Sequence, residues 1–214
     1  MTSNAAESVI EVFADIWCPF THVGLRALDE QRTLSGRLDV VIRVRAWPLE
    51  LVNGVALDRL TTKAHVEHLR EQVAPMMFND LRVDHFPSST LEALALVERA
   101  YRSDSRLGER ASFELRDALF EEGIDISEQR ALSDIAERLG VERPDDEDRA
   151  AVIADWHDGQ ARGVVGSPHF FCGEVSSFCP SLQITKDPEL GVSLRRDATR
   201  LTHFVQQCLG SSAT

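Results

Sequence analysis

The chain has 214 residues, of which 43% are hydrophobic and 27% charged, so it can bury one sizeable core. Its net charge of -12 repels phosphate backbones and anionic lipid, which argues against nucleic-acid and membrane partners. No uncharged stretch approaches the roughly 18 to 20 apolar residues of a membrane-spanning helix. The first eight residues, Met1 to Ser8, lack the basic and apolar parts of a signal peptide, so we expect a cytoplasmic protein.

The predicted elements begin with a β-α-β unit. Val9 to Ala14 is short, apolar and β-branched, which predicts a buried strand. Proline is tolerated at the first helical position, so a helix is predicted from Pro19 to about Arg32. Val40 to Trp47 alternates apolar residues with arginines, which predicts a second strand.

A helical block of about a hundred residues follows. Its predicted helices are His65 to Met77, Leu91 to Tyr101 with a Ser89/Glu92 capping box, Ser112 to Glu121, and Ser127 to Leu139 ending at Gly140. The acidic run Asp145 to Asp148 complements a helix dipole and predicts the start of a helix reaching Ala161.

After Gly163 we predict a short strand that Pro168 enters and that ends near Cys172, then a terminal helix from Asp197 to Leu209. Strands alternating with helices predict an α/β fold. Residues 1–52 and 150–214 would form one domain, and residues 53–149 an inserted all-helical domain.

Four cysteines without a C-x-x-C pair do not form a disulfide scaffold or a zinc knuckle, so we expect no metal. Cys18 follows a strand and opens a helix, where backbone N–H groups and the helix dipole would lower the pKa of a presented thiol. The alternative is a small buried residue. Cys172 and Cys208 are expected to be buried. Cys179, in a serine-rich loop, is a candidate resolving thiol if that loop returns to Cys18.

Two neighbours of Cys18 and a distant Ser-Pro pair are further candidates for the site. Thr21 lies on a helix face next to that of Cys18, and its hydroxyl either hydrogen-bonds a thiolate or is an ordinary first-turn group. His22 either stabilises the thiolate or relays a proton, or is a surface residue with a local contact. A cis Pro168 would leave the Ser167 backbone free for an extended substrate, although only about 5 to 6% of X-Pro bonds are cis.

Three blocks carry a family resemblance. Ile16 to Gly24 (IWCPFTHVG) resembles the active-site turn of the DsbA-like thioredoxin-fold family, especially its FrnE-like cytoplasmic members. Leu115 to Ser127 resembles the insert helix of that family, and Ala161 to Phe171 resembles its cis-proline segment. The resemblance implies a thioredoxin-like fold with a helical insert and a thiol-disulfide oxidoreductase. The implied catalytic residues are Cys18, Thr21 and a cis Pro168, and the implied substrate-binding residues are Trp17, Pro19, Phe20, His22, Val165 and Ser167.

The chain departs from the family pattern at Thr21, where the C-x-x-C motif has its second cysteine. With Cys18 as the single active-site cysteine, we expect no tightly bound cofactor, and glutathione or mycothiol as the co-substrate that resolves a mixed disulfide. Kappa-class glutathione transferases and 2-hydroxychromene-2-carboxylate isomerases are related, but their glutathione-binding element is not evident in Ser176 to Leu182.

Two alternatives stay open: a transferase or isomerase that depends on a thiol cofactor, and a non-catalytic binding protein on the same fold. The expected partner is a small thiol or a disulfide-containing substrate, and a homodimer is left open.

Overall fold

The computed structural model describes residues 8–55, 58–187 and 191–209. Nearly all of Met1 to Ser8, the segment that was expected not to be a signal peptide, lies outside the described residues. No helix in these ranges is long and apolar enough to cross a bilayer. The described strands are β1 (Val9–Ala14), β2 (Val41–Ala46), β3 (His169–Cys172), β4 (Val175–Phe178), β5 (Leu182–Asp187) and β6 (Gly191–Arg196). The described α-helices are α1 (Pro19–Leu34), α2 (Leu49–Asn53), α3 (Arg59–Gln72), α4 (Leu91–Ser103), α5 (Ser105–Phe120), α6 (Gln129–Leu139), α7 (Asp146–Ala161) and α8 (Ala198–Leu209).

The main sheet has four strands in the order β2-β1-β3-β4. β1 runs parallel to β2 and antiparallel to β3, with Phe13 opposite His169. β4 runs antiparallel to β3, with Phe178 also opposite His169. The chain therefore leaves β1, enters β3 and leaves β4 at the same end of the sheet. This topology confirms the predicted thioredoxin-like α/β fold and brings three distant segments of the chain together.

Three strands were not predicted. β4 occupies the expected serine-rich loop, and β5 pairs antiparallel with β6 as a separate two-stranded sheet. β4 has only four residues, two of them serine, and follows a turn in which Gly173 has a φ of 58°. A strand this short has too little hydrophobic periodicity to be recognised.

Two predicted helix starts were wrong. α3 begins before His65, where the Asp58 side chain accepts the N–H groups of Leu60 and Thr61, and it ends before Pro75. α5 begins well before Ser112, because Asp104 caps it. Both caps are acidic side chains that satisfy free N–H groups of a first helical turn.

The predicted Ser89/Glu92 capping box is also absent. The N-cap of α4 is Thr90, and Glu92 instead forms an ion pair with Arg149, 2.6 Å away. In contrast, α6 ends at Gly140 with a left-handed φ of 71°, as predicted. The acidic run does open α7, where Asp145 and Asp148 form a capping box.

Side chains of the helical segment cover the outer edge of β2. The Tyr101 hydroxyl donates to the Ile42 carbonyl and accepts the Val44 N–H, both at 2.8 Å. On the same edge, the Glu109 carboxylate of α5 accepts the Ile42 N–H. The Asp155 carboxylate of α7 accepts the Ala46 N–H. An edge strand that would otherwise expose unpaired backbone groups is thus completed by side chains.

The largest cluster of buried apolar residues spans both parts of the chain. It joins Ile16, Trp17 and Ala46 of the β-α-β unit to helical residues such as Leu69 and Leu119. The helical segment therefore shares its core with the rest of the protein. The boundaries at residues 53 and 149 stay a prediction.

Tyr101→Phe tests the covering of β2. Removing the hydroxyl leaves a buried N–H and a buried carbonyl without this partner, so we expect a loss of about 1–3 kcal/mol in the free energy of unfolding, measured with urea. The control is Ser133→Ala, which removes an exposed hydroxyl bonded within its own helix. Its expected change is within about 0.5 kcal/mol, and equal effects of the two variants would contradict the role assigned to Tyr101.

Candidate active site

Cys18 lies where the three chain segments meet. It is the N-cap residue of α1, and its Sγ is 3.0 Å from the carbonyl oxygen of Ser167, to which the thiol donates. The Ser167-Pro168 peptide bond is cis, as predicted. The Ser167 carbonyl is therefore engaged by the thiol, which corrects the expectation that the Ser167 backbone would be free for a substrate.

The prediction that Cys18 is presented and has a lowered pKa is wrong. The residue is only 5% exposed, and this burial raises the pKa of the Cys18 thiol. The hydroxyls of Thr21 and Ser167 and the Thr21 N–H favour the thiolate and lower the pKa, but the charge of Asp15 raises it further. Loss of water around the sulfur thus outweighs the helix N-terminus, and the resting group is a protonated thiol.

Asp15, which was not among the predicted site residues, is fully buried directly after β1. Its Oδ1 accepts the Trp17 N–H at 3.1 Å and the Thr90 hydroxyl at 2.8 Å, and its Oδ2 accepts the Leu49 N–H. Burial raises the pKa of Asp15 although these bonds oppose the shift. An acidic residue placed directly after a buried strand was the available sequence signal.

Arg116 of α5 reaches the same turn. Its guanidinium donates to the backbone carbonyl of Asp15 at 3.2 Å and to the Ser112 carbonyl at 2.8 Å. The side chain is buried, which lowers the pKa of Arg116 to about 10, while the charges of Asp15 and Cys18 oppose the shift. Arg116 therefore places a positive charge near any thiolate that forms at Cys18.

Thr21 connects α1 to the cis-proline segment. Its hydroxyl is 2.8 Å from the Ser167 hydroxyl, which in turn accepts the backbone N–H of Asp15 at 2.9 Å. Thr21 is completely buried, and its hydroxyl lowers the pKa of the Cys18 thiol. It is thus part of the site rather than an ordinary first-turn residue.

Trp17 and His22 were also predicted to bind substrate; both are buried, and their substrate-binding role stays a prediction. Trp17 is 0% exposed and stacks on Phe86. His22 is 2% exposed rather than at the surface, and its Nε2 is 2.8 Å from Glu121. Pro19 is also buried, and its substrate-binding role stays a prediction.

A pocket of about 510 Å³ opens beside the cis-proline segment. Of the predicted site residues, it brings together Phe20, Ser167 and Cys179. Val165 is 71% exposed and is not part of this lining. The remaining lining residues, which were not predicted, are His65, Phe178, Ile184 and Val192. Three of these lie on β4, β5 and β6, the strands that the sequence pattern did not indicate.

All four cysteines are free thiols. Cys179 is buried, and this burial raises the pKa of its thiol to about 12. Cys172 and Cys208 were expected to be buried but are only half-buried, and the Cys172 thiol is 3.7 Å from the Cys208 carbonyl. Within the described ranges, no three His, Cys, Asp or Glu side chains are grouped so that they could hold a metal ion.

Comparisons with known proteins agree with this geometry. The model of the DSBA-like thioredoxin domain family matches residues 9–184. A probable DsbA oxidoreductase from Streptomyces coelicolor is 19% identical with a TM-score of 0.65, over 97% of this chain and 92% of that one. The cytosolic disulfide reductase DsbM from Pseudomonas aeruginosa is 14% identical with a TM-score of 0.57, over 92% and 94% of the two chains.

A 2-hydroxychromene-2-carboxylate isomerase has a similar structure, with 16% identity and a TM-score of 0.58 over 79% of this chain and 88% of that one. At such low identities these likenesses show a shared fold. A sequence search of curated proteins finds no match.

The raised pKa of Cys18 predicts how its alkylation depends on pH. Because only the thiolate reacts, the rate with iodoacetamide should rise about tenfold per pH unit from pH 7 and should not level off below about pH 9. Peptide mapping after timed labelling measures this rate. Thr21→Val, which removes a hydroxyl that favours the thiolate, should slow labelling at every pH, whereas a plateau near pH 7 in the unmodified protein would contradict the raised pKa.

Proposed function

The chain belongs to the DSBA-like thioredoxin domain family, and from this membership we propose that it is a thiol-disulfide oxidoreductase whose attacking group is Cys18. The observation that carries the proposal is the position of the Cys18 sulfur. It lies 3.0 Å from the carbonyl of Ser167, a residue that also lines the pocket of about 510 Å³. A disulfide held in this pocket would approach the sulfur from the side of the cis-proline segment.

The surrounding groups support an exchange reaction. In the resting state the thiol donates a hydrogen bond to the Ser167 carbonyl. After deprotonation, the hydroxyls of Thr21 and Ser167 and the Thr21 N–H can donate to the thiolate, and Arg116 lies near enough for its charge to stabilise it. The thiolate attacks one sulfur of the substrate disulfide, forms a mixed disulfide and releases the other half as a thiol.

The pocket supports a substrate with apolar groups next to its disulfide. Phe20, Phe178, Ile184 and Val192 contribute apolar lining, and Phe20 packs edge-on against His65. We propose a small disulfide or thiol as the substrate, and glutathione or mycothiol as the donor of electrons. The exchange needs no bound cofactor, because the sulfur atoms themselves supply and accept the electrons.

We also propose that the protein acts in the cytoplasm, as a FrnE-like member of its family. Four free thiols support this assignment, because thiols stay reduced in the cytosol.

One observation favours the alternative of an isomerase or transferase that depends on a thiol cofactor. The Cys18 side chain is a hydrogen-bonded thiol in a buried site, and such a group can orient a bound thiol without exchanging with it. The two functions differ in their intermediate, since only the oxidoreductase forms a mixed disulfide at Cys18.

Cys18→Ser tests the proposed function. Reduction of a small disulfide by glutathione, with the purified protein as catalyst, should fall by at least about a hundredfold because the serine hydroxyl is not a comparable nucleophile. Cys172→Ser is the matched control and should keep the activity, since Cys172 lies at the far end of β3. Undiminished turnover by Cys18→Ser would refute the proposal. Mass spectrometry of the acid-quenched reaction should detect the mixed disulfide on Cys18.

Thr21→Cys should convert the site toward dithiol chemistry. Residues three apart on a first helical turn are close enough for a disulfide, so a second thiol can resolve the mixed disulfide within the motif. We expect reduction of insulin disulfides to increase. Thr21→Ala, which removes the hydroxyl without adding a thiol, should not increase it. Equal activities of the two variants would show that the turn does not support such an exchange.

A further inference from the structure

Two cysteines flank the cis-proline segment. The Cys18 thiol donates to the carbonyl of Ser167, and the Cys179 N–H donates to the carbonyl of Pro168, each at 3.0 Å. The two residues are 161 positions apart in sequence but bind consecutive carbonyl groups. Cys179 also lines the pocket that Ser167 borders, so both cysteines are beside the space in which we expect the substrate.

The backbone at Cys179 has an unusual conformation that is stabilised by hydrogen bonds. Its φ of 45° lies in the left-handed region, which residues with a side chain rarely adopt. Arg200 of α8 fixes the segment by donating to the carbonyls of Cys179, Pro180 and Leu182. Strained backbone of this kind clusters at functional sites in proteins.

We propose that Cys179 is the resolving thiol of this active site, where it takes the role that Thr21 cannot fill. The proposal rests on the proposed function of Cys18 and adds an internal partner for it. The low-molecular-weight thiol then reduces a disulfide between Cys18 and Cys179, instead of the mixed disulfide itself.

The charge of Cys18 affects when Cys179 can ionise and therefore react. Burial is the largest cause of the raised pKa of Cys179. The charge of Cys18 raises this pKa further, whereas the charge of Arg200 lowers it. A thiolate that forms at Cys18 therefore suppresses ionisation of Cys179. Once Cys18 is part of a mixed disulfide it carries no charge, so this repulsion is removed and Cys179 ionises more easily.

The reaction balances in four exchanges. The Cys18 thiolate attacks a disulfide R–S–S–R′; a bond from Cys18 to sulfur forms, the substrate S–S bond breaks, and R′–SH leaves after protonation. The Cys179 thiolate then attacks the Cys18 sulfur and releases R–SH, which takes up the proton that Cys179 lost. The substrate has gained two electrons from the protein. Two molecules of a low-molecular-weight thiol then supply two electrons, reduce the Cys18–Cys179 disulfide and leave as their own disulfide.

Ellman's reagent, an aromatic disulfide whose released thiol is coloured, separates these steps. The reaction uses the full chain carrying Cys172→Ser and Cys208→Ser, so that only Cys18 and Cys179 remain. We expect two equivalents of coloured thiol per protein, and a Cys18–Cys179 disulfide in the peptide map. Adding Cys179→Ser should abolish release of the second equivalent and leave a stable adduct on Cys18.

The outcomes distinguish the two proposals. One equivalent in both proteins, with the adduct on Cys18, would overturn the role of Cys179 and leave the proposed function intact. No release beyond that of a variant that also carries Cys18→Ser would overturn the proposed function itself. Circular dichroism checks that each variant is folded, and Cys179→Ala should reproduce the result of Cys179→Ser if loss of the thiol is the cause.

Discussion

A single buried carboxylate, that of Asp15, determines the geometry of the site. A charged or polar group that is removed from water is tolerated only when it is hydrogen-bonded, and Asp15 meets this condition with partners from the turn, from α2 and from the start of α4. Its own N–H donates to the Ser167 hydroxyl. The end of β1, the helical segment and the cis-proline segment are therefore held in one arrangement, and the position of Cys18 follows from it.

The helical segment serves the site as well as the sheet. Its carboxylates and its tyrosine complete the edge of β2, while Thr90 and Arg116 reach the turn that precedes Cys18. Glu109 and Asp155 are buried carboxylates, and each is paired with an arginine, Arg32 and Arg45 respectively. Because these paired charges also bind backbone N–H groups of β2, the helices and the sheet have a defined register with respect to each other.

Burial controls the reactivity of the cysteines. A helix N-terminus favours a thiolate, but the surroundings of Cys18 exclude water and place Asp15 nearby, so the thiol stays protonated. The same desolvation affects Cys179 and makes its ionisation sensitive to whether Cys18 is charged.

Local sequence was sufficient for features that depend on neighbouring residues. The buried strand β1, the helix opened by Pro19, the stop at Gly140 and the helix start at the acidic run Asp145 to Asp148 all follow from local sequence. The cis bond before Pro168 came from a resemblance, because local physics favours trans.

Only the tertiary structure decided the short strand β4, the burial of His22, the raised pKa of Cys18 and the position of Cys179 beside the cis-proline segment. Each of these depends on how much water is excluded by segments far away in the chain. Desolvation is a property of the packed molecule, so no local pattern of residues determines it.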